Sequence, residues 1–320
     1  MSINSNPAHR AAADTTRSQI VLEIAAALVA QPQQRLRQAK VSLREQGSAE
    51  GWPLCLFASS THEGIDAVVS GEAALAIVNP SAALTLAYRG TGAYAQPQPV
   101  RSIAVVPTRD ELVLAANAAT GLQCFEDIAA RRVPLRIGVR GQHDHYLHVM
   151  LEHVAQAAGF SFAELRAWGG DVRPAGLRPP GPDGPLFAAL AAGELDAIFD
   201  EAADRWLDAA LERGMTVLSL AEPTVQRLES RGYRRAMLRG TLTLDFSGWA
   251  IFVRADLEAE LVTQICAALD ARKALIAWDG VGPLPVERMC RDAPDTPLDV
   301  PLHSAAERYW RECGYLPAPT

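Results

Sequence analysis

No apolar run in this 320-residue sequence approaches the roughly 18 to 20 residues that a bilayer-spanning helix needs, which excludes direct membrane insertion through such a helix. Basic runs are also missing. The 30 Lys+Arg stand against 37 Asp+Glu, a formal charge of −7, and without clustered Lys and Arg to neutralise phosphates a nucleic-acid partner is not expected. The five cysteines, Cys55, Cys124, Cys266, Cys290 and Cys313, are odd in number, far apart and never in a C-x-x-C pair. That spacing argues against a disulfide framework or a cysteine zinc site and suits free, buried thiols. The first twenty residues carry no apolar h-region, and the stretch from Ile20 to Ala30 is interrupted by Glu23. No signal peptide is therefore expected: the chain as it stands reads as cytoplasmic, and a periplasmic location requires a misassigned start or a leader already removed. HExxH, Walker A and G-x-S-x-G motifs are absent, and the G-x-G-x-x-A at Gly90, Gly92 and Ala95 runs into QPQPV instead of a helix. No cofactor is expected from these motifs.

What the sequence does contain is one order of events, used twice. Leu54 to Ala58 reads as a short strand running into Ser59, Ser60 and Thr61. The helix that follows places Ile65, Val68 and Val69 on one face and stops at Gly71; the strand AALAIV then exits through Asn79, Pro80 and Ser81 into a further helix up to Gly90. The second round starts with the strand Leu135 to Val139, which enters Arg140, Gly141, Gln142 and His143. A helix of about four turns follows, with Leu147, Met150, Leu151, Val154 and Ala158 on its apolar face. After Gly193, the strand LDAIF ends in Asp200 and Glu201. Alternating strands and helices of these lengths imply an α/β fold with mostly parallel sheets flanked by helices, and two such rounds imply two lobes with a ligand cleft between them. Ser102–Pro107 and Glu111–Asn117 read as strands carrying the chain from one lobe to the other, and Asp245–Ala255 as its return. The expected division is 1–110 plus 245–320 for one lobe and 111–244 for the other. Asp256 is expected to cap the amphipathic helix that follows, and the proline-rich 173–185 stretch to form a surface loop.

Ligands of parallel α/β sheets bind beyond the carboxyl ends of strands, where helix N-termini expose N–H groups. The candidate ligand-binding residues are therefore Ser59, Ser60, Thr61, His62, Asn79 and Ser81 in one lobe, and Arg140, Gln142, His143, His145, Asp200 and Glu201 in the other. Hydroxyls, helix N–H groups and Arg140 suit a small-molecule carboxylate, while Asp200 or Glu201 suits an amino or hydroxyl group. The plainer reading is that Ser59 to Thr61 only cap a helix and Arg140 is solvated. Four of the seven histidines fall between positions 143 and 153, and on a helix His145, His148 and Glu152 would share a face. Without a recognisable ligand pattern they are not assigned a metal. A second reading keeps the same scaffold but makes it a cytoplasmic enzyme, a decarboxylase or lyase of an aromatic acid, with His143, His145, Asp200 and Glu201 as its acid/base set.

The S-S-T loop before a helix, the strand exits GEAALAIVNPSA and GELDAIFDEA, and the C-terminal PLHSAAERYWRECGYL resemble the solute-binding receptors of TRAP transporters, specifically their TAXI branch. The resemblance runs from about Gly51 to Pro317 and is best at Pro301, Leu302 and His303, followed by Ala305, Ala306 and Tyr309. It implies a two-lobed, twice-crossed periplasmic-binding-protein-like fold of type II that captures a small organic acid or amino acid without catalysis and partners a membrane transporter subunit. Two loops depart from the family. ADTTRSQIVLEIAAALVA stands where a Gly- and Tyr-rich loop is expected, and RGQHDH stands in place of a small G-S-G loop.

Overall fold

The computed structural model describes residues 22, 24–28, 39–43, 54–58, 62–142, 145–176, 180–202 and 204–318. The chain separates into two compact units, Met1–Ala39 and Lys40–Thr320. Among the described residues of the first, Leu22 and Ile24 are helical and exposed. In chain order the regular elements are β1 (Ala39–Leu43), β2 (Leu54–Ala58), α1 (Glu63–Val69), β3 (Leu75–Val78), α2 (Ser81–Arg89) and β4 (Val100–Val106). Then come β5 (Leu112–Asn117), α3 (Glu126–Arg131), β6 (Arg136–Arg140), α4 (Leu147–Ala157), α5 (Phe162–Ala167), β7 (Asp171–Ala175), α6 (Pro185–Ala191) and β8 (Ala197–Glu201). The remainder is α7 (Asp204–Glu212), β9 (Met215–Val217), α8 (Glu222–Arg231), the hairpin β10 (Arg235–Leu238) and β11 (Thr241–Leu244), β12 (Trp249–Arg254), α9 (Ala259–Arg272), α10 (Val286–Met289) and α11 (Ser304–Glu312).

Ten of the twelve described strands form two five-stranded sheets, in the orders β1-β2-β3-β12-β4 and β7-β6-β8-β5-β9, and β10 and β11 pair only with each other. In the first, β2 and β3 are parallel, and β12 runs against both β3 and β4. In the second, β7, β6 and β8 are parallel, and β5 runs against both β8 and β9. Each sheet thus takes one reversed strand in fourth place, and that strand is the one delivered by a chain crossing: β5 arrives from β4, and β12 arrives from the β10–β11 hairpin. This is the two-lobed, twice-crossed α/β arrangement that the sequence implies. The strand segments LCLFA, LAIV and RIGVR carry near-continuous apolar runs, buried along β6 after Arg136 and partly buried along β2 and β3. None of the described helices is long and apolar enough to cross a membrane.

Three local expectations change. Pro174 lies inside β7, but β7 is the outermost strand of its sheet, where a missing N–H leaves no ladder bond unmade. The 173–185 stretch therefore starts as edge strand, and of its later described residues 180–184 lie outside regular elements before Pro185 opens α6. Asp256 does not cap α9, whose N-cap is Glu258 with no side-chain bond; the Asp256 carboxylate is held by Arg254 Nε at 2.6 Å. Finally, α4 is eleven residues long and begins at Leu147, so His145 precedes the helix and shares no helical face with His148 and Glu152.

All five cysteines are free thiols; Cys55, Cys266 and Cys290 are buried and Cys313 is exposed. Burial pushes the Cys266 thiol up to about 12, which keeps it protonated and inert. His303 accepts the Ala305 N–H through Nδ1 at 3.2 Å and so caps α11, the helix whose Trp310 donates to the Ile103 carbonyl at 2.9 Å in β4.

Candidate functional site

In the second lobe the site follows from register. β6 and β8 are parallel neighbours, with Ile137 opposite Ala197 and Val139 opposite Phe199, so their carboxyl ends bring Arg140 beside Asp200 and Glu201 although sixty residues separate them in sequence. The Arg140 guanidinium is nearly buried, at 5% exposure, and Asp200 is fully buried. Nε donates to Asp200 Oδ2 at 3.3 Å, Nη2 to Asp200 Oδ1 and to Glu201 Oε1 at 2.6 Å, and Nη1 faces His145 Nε2 at 3.1 Å. Four of its five N–H bonds are thereby directed at protein groups.

One guanidinium between two buried carboxylates leaves an excess negative charge. Burial pushes the Asp200 carboxyl up to about 7, against the pull of Arg140 and with help from the Glu201 charge. His145 shifts the other way, down to about 3, because burial and the Arg140 charge both disfavour the imidazolium. It is neutral and stacks on Phe246, with ring centroids 5.8 Å apart and planes 8° from parallel. A neutral imidazole has one lone-pair nitrogen, so it accepts either from Arg140 or from the Leu147 N–H that faces Nδ1 at 3.3 Å, not from both. The Gln142 carbonyl ties the loop together, accepting from the His145 N–H at 3.2 Å and lying 2.9 Å from His148 Nε2. Gly141 permits the turn: a Cβ there would stand 2.6 Å from the Gly176 carbonyl oxygen.

The first lobe contributes neutral groups. Ser81, buried at the start of α2, donates from Oγ to the Ser247 carbonyl at 3.0 Å, and its N–H points at the same oxygen at 3.3 Å. Asn79 Oδ1 is shielded from solvent and accepts no hydrogen bond among the described residues. His62 sits at the N-cap of α1, exposed and making no capping bond. Ser59, Ser60, Thr61 and His143 lie outside the described residues.

The crossings join these halves. The Phe246 N–H donates to the Asp110 carbonyl at 2.8 Å, Ser247 Oγ accepts the Asp110 N–H at 3.1 Å, and Gly248 N–H donates to Thr108 Oγ1 at 2.8 Å. One step along the second crossing therefore leads from Ser247, on which Ser81 rests, to Phe246, on which His145 stacks. The lobes also touch further out, where Thr91 Oγ1 donates to the Arg231 carbonyl at 2.5 Å. Sequence reasoning placed the strand-end residues but did not count Phe246 or Ser247 among the binding candidates; the available signal was DFSGW, a polar interruption just ahead of β12. Among the described residues, no group of three His, Cys, Asp or Glu side chains is arranged to hold a metal ion.

Fold and seam together define a two-lobed α/β protein with its polar strand ends gathered where two chain crossings join the lobes. The chain matches no protein-family model and no curated protein. Solved structures resembling it in part include a protein of Bordetella bronchiseptica RB50, at 15% identity over 67% of this chain and 58% of that one, with a TM-score of 0.32. A periplasmic transporter matches at 14% identity over 80% of each chain, TM-score 0.35. A TctC solute-binding protein from Polaromonas matches at 15% over 66% of this chain and 67% of that one, TM-score 0.35. The chain thus spans less than two thirds of the length of the Bordetella protein.

Proposed function

We infer that the protein is a solute-binding protein of the TAXI receptor kind, capturing a small amino acid or organic acid between its lobes and handing it to a membrane transporter subunit. The observation that carries this reading is the convergence of the β3, β6 and β8 exits on one seam, with Arg140 already fixed in place by Asp200, Glu201 and His145. Between the two ligand classes the chemistry favours an amino acid. Arg140 is outnumbered by carboxylates, and Asn79 contributes an acceptor with no donor among the described residues, so the seam calls for N–H groups as well as for a carboxylate. The ligand's ammonium group then faces Glu201 and Asn79. The alternative, an enzyme acting on an aromatic acid, draws on the Asp200 carboxyl, which changes charge near neutral pH.

One experiment separates these readings. Purified protein is screened by thermal shift against amino acids, aromatic carboxylates and amine-free organic acids, and each stabilising compound is recovered for mass spectrometry. The expected result is stabilisation by an amino acid recovered unchanged, lost in Glu201→Gln. Stabilisation only by amine-free acids removes the ammonium contact; a consumed ligand replaces the receptor with the enzyme; no shift across the panel overturns both.

A further inference from the structure

Away from the seam, the two lobes meet a second time where α2 and α8 end. Like any helix, α8 finishes in carbonyls that have no partner inside the helix. The Gly232 N–H serves that of Glu229 at 3.0 Å, and the first lobe supplies further donors. Thr91 Oγ1 donates to the Arg231 carbonyl at 2.5 Å, and Arg89 Nη1 to the Glu229 carbonyl at 3.4 Å. The Thr91 hydroxyl has one proton, and the Leu86 carbonyl of its own lobe, at 3.3 Å, is the poorer claimant. Arg89 also sets a cation at the negative end of the α8 dipole.

Bare backbone makes the approach close. A Cβ on Gly232 would stand 3.2 Å from Thr85 Cγ2 and 3.3 Å from Arg89 Cδ, and one on Gly92 would stand 3.2 Å from His153 Cε1. The half-buried His153 ring on α4 is thus covered by the backbone of the other lobe. Its Nδ1 lies 2.6 Å from Tyr233 Oη, and the buried Tyr233 bonds in turn to Tyr146, the residue after His145. The titratable and charged groups facing the ring are Arg231 and Tyr233 from the end of α8 and Glu152 on α4 itself; Arg89, from the first lobe, turns to the Glu229 carbonyl. Burial, with the Arg231 charge adding to it and Glu152 opposing, holds the ring below the ordinary imidazole range. An imidazolium there is better hydrated with the lobes apart. Both helices also begin at the seam, α2 at Ser81 and α4 two residues after His145, so a shift at this contact is carried to the seam.

We propose that this contact is a proton-sensitive latch between the lobes: Thr91 and Arg89 hold the end of α8 against α2 while His153 is neutral, and uptake of a proton by His153 parts the lobes and opens the seam. As regulation of the seam the latch rests on the solute-binding reading, but its opening is measured with no solute present.

Two measurements on the full-length protein test it. Linkage is reciprocal, so if proton uptake opens the latch, a weakened latch eases proton uptake. Thr91→Val removes the capping hydroxyl at nearly constant shape, and the His153 Cε1–H signal, followed by nuclear magnetic resonance, is expected to titrate about half a pH unit or more above its wild-type midpoint. By small-angle X-ray scattering, the wild-type radius of gyration is expected to rise between about pH 7.5 and about pH 5, by about 1 Å on the roughly 20 Å of a compact chain this long. In His153→Gln that rise is lost.

Asp200 and His145 still titrate in His153→Gln, so opening that survives this variant belongs to the seam and overturns the latch. The latch is equally overturned if the wild-type radius is the same at both pH values, or if Thr91→Val leaves the His153 midpoint where it was. That midpoint comparison needs only wild type and Thr91→Val, and it decides the matter if His153→Gln does not fold. A protein that opens with pH but binds no solute keeps the latch and loses the receptor; one that binds an amino acid at a constant radius does the reverse.

Discussion

The two lobes use one topology but furnish it differently. At the exits of the first, Asn79 and Ser81 are uncharged and Ser81 bonds to the backbone of the crossing; at the exits of the second, Arg140, Asp200, Glu201 and His145 are ionisable groups buried together. Hydrogen-bonded neutral polar groups enter a seam at a smaller desolvation cost, whereas each buried charge must be repaid by its neighbours. The second lobe is therefore the sensitive one, and its removable member is Arg140. In Arg140→Met, two carboxylates lose the cation they share, and stability measured by urea unfolding is expected to fall by about 3–5 kcal/mol. Adding Asp200→Asn recovers part of that loss, because the residual charge to be buried is smaller. If Arg140→Met unfolds like wild type, the contrast between the lobes is wrong.

The pH dependence of stability sharpens the same contrast, since two of its contributions come from the second lobe and oppose each other. Asp200 holds its proton more tightly folded, near 7, than unfolded, near 3.8, so its contribution is full below about pH 4 and is lost as pH rises through about 7. His145 holds its proton less tightly folded, near 3, than unfolded, near 6.5; its contribution is full above about pH 6.5 and is lost as pH falls toward 3. The slopes cancel in part between about pH 4 and 6.5. Asp200→Asn is expected to leave stability rising with pH across that window, and His145→Gln to leave it falling. Urea midpoints at half-unit pH intervals check this, and parallel curves for the two variants would count against both assignments.

What was legible in the sequence was local. Leu54–Ala58 is a strand because five apolar or small residues run between turn signals, and Ile65 and Val68 turn inward because they recur at helical spacing. The candidate list for the second lobe came from the same periodicity, and Arg140, Asp200 and Glu201 do end adjacent strands. Their ion pairs were not legible, because whether Arg140 faces a solute or a carboxylate depends on the β6–β8 register, which no local pattern encodes. His145 was drawn into a helix by its spacing from His148, but the helix begins two residues later, and stacking on Phe246, a hundred residues away, fixes the ring instead. Asp256 has the right residue type for a cap, yet a guanidinium two residues earlier in the chain outcompetes the helix N–H groups for its carboxylate.

The smallest expected effect lies in the first lobe. Ser81→Ala removes the 3.0 Å bond from Oγ to the Ser247 carbonyl, and a buried acceptor left bare would be expensive. That oxygen is not left bare, because the Ser81 N–H reaches it at 3.3 Å whatever the side chain. The loss is therefore set by the net worth of one neutral hydrogen bond, about 1 kcal/mol, and urea unfolding should place Ser81→Ala well above Arg140→Met. Because the hydroxyl bonds to the crossing and carries no charge, its removal should also leave the pH profile of stability parallel to that of wild type. A Ser81→Ala loss near 3 kcal/mol would show that the tie to the second crossing, and not the buried charge of the second lobe, is what holds the seam.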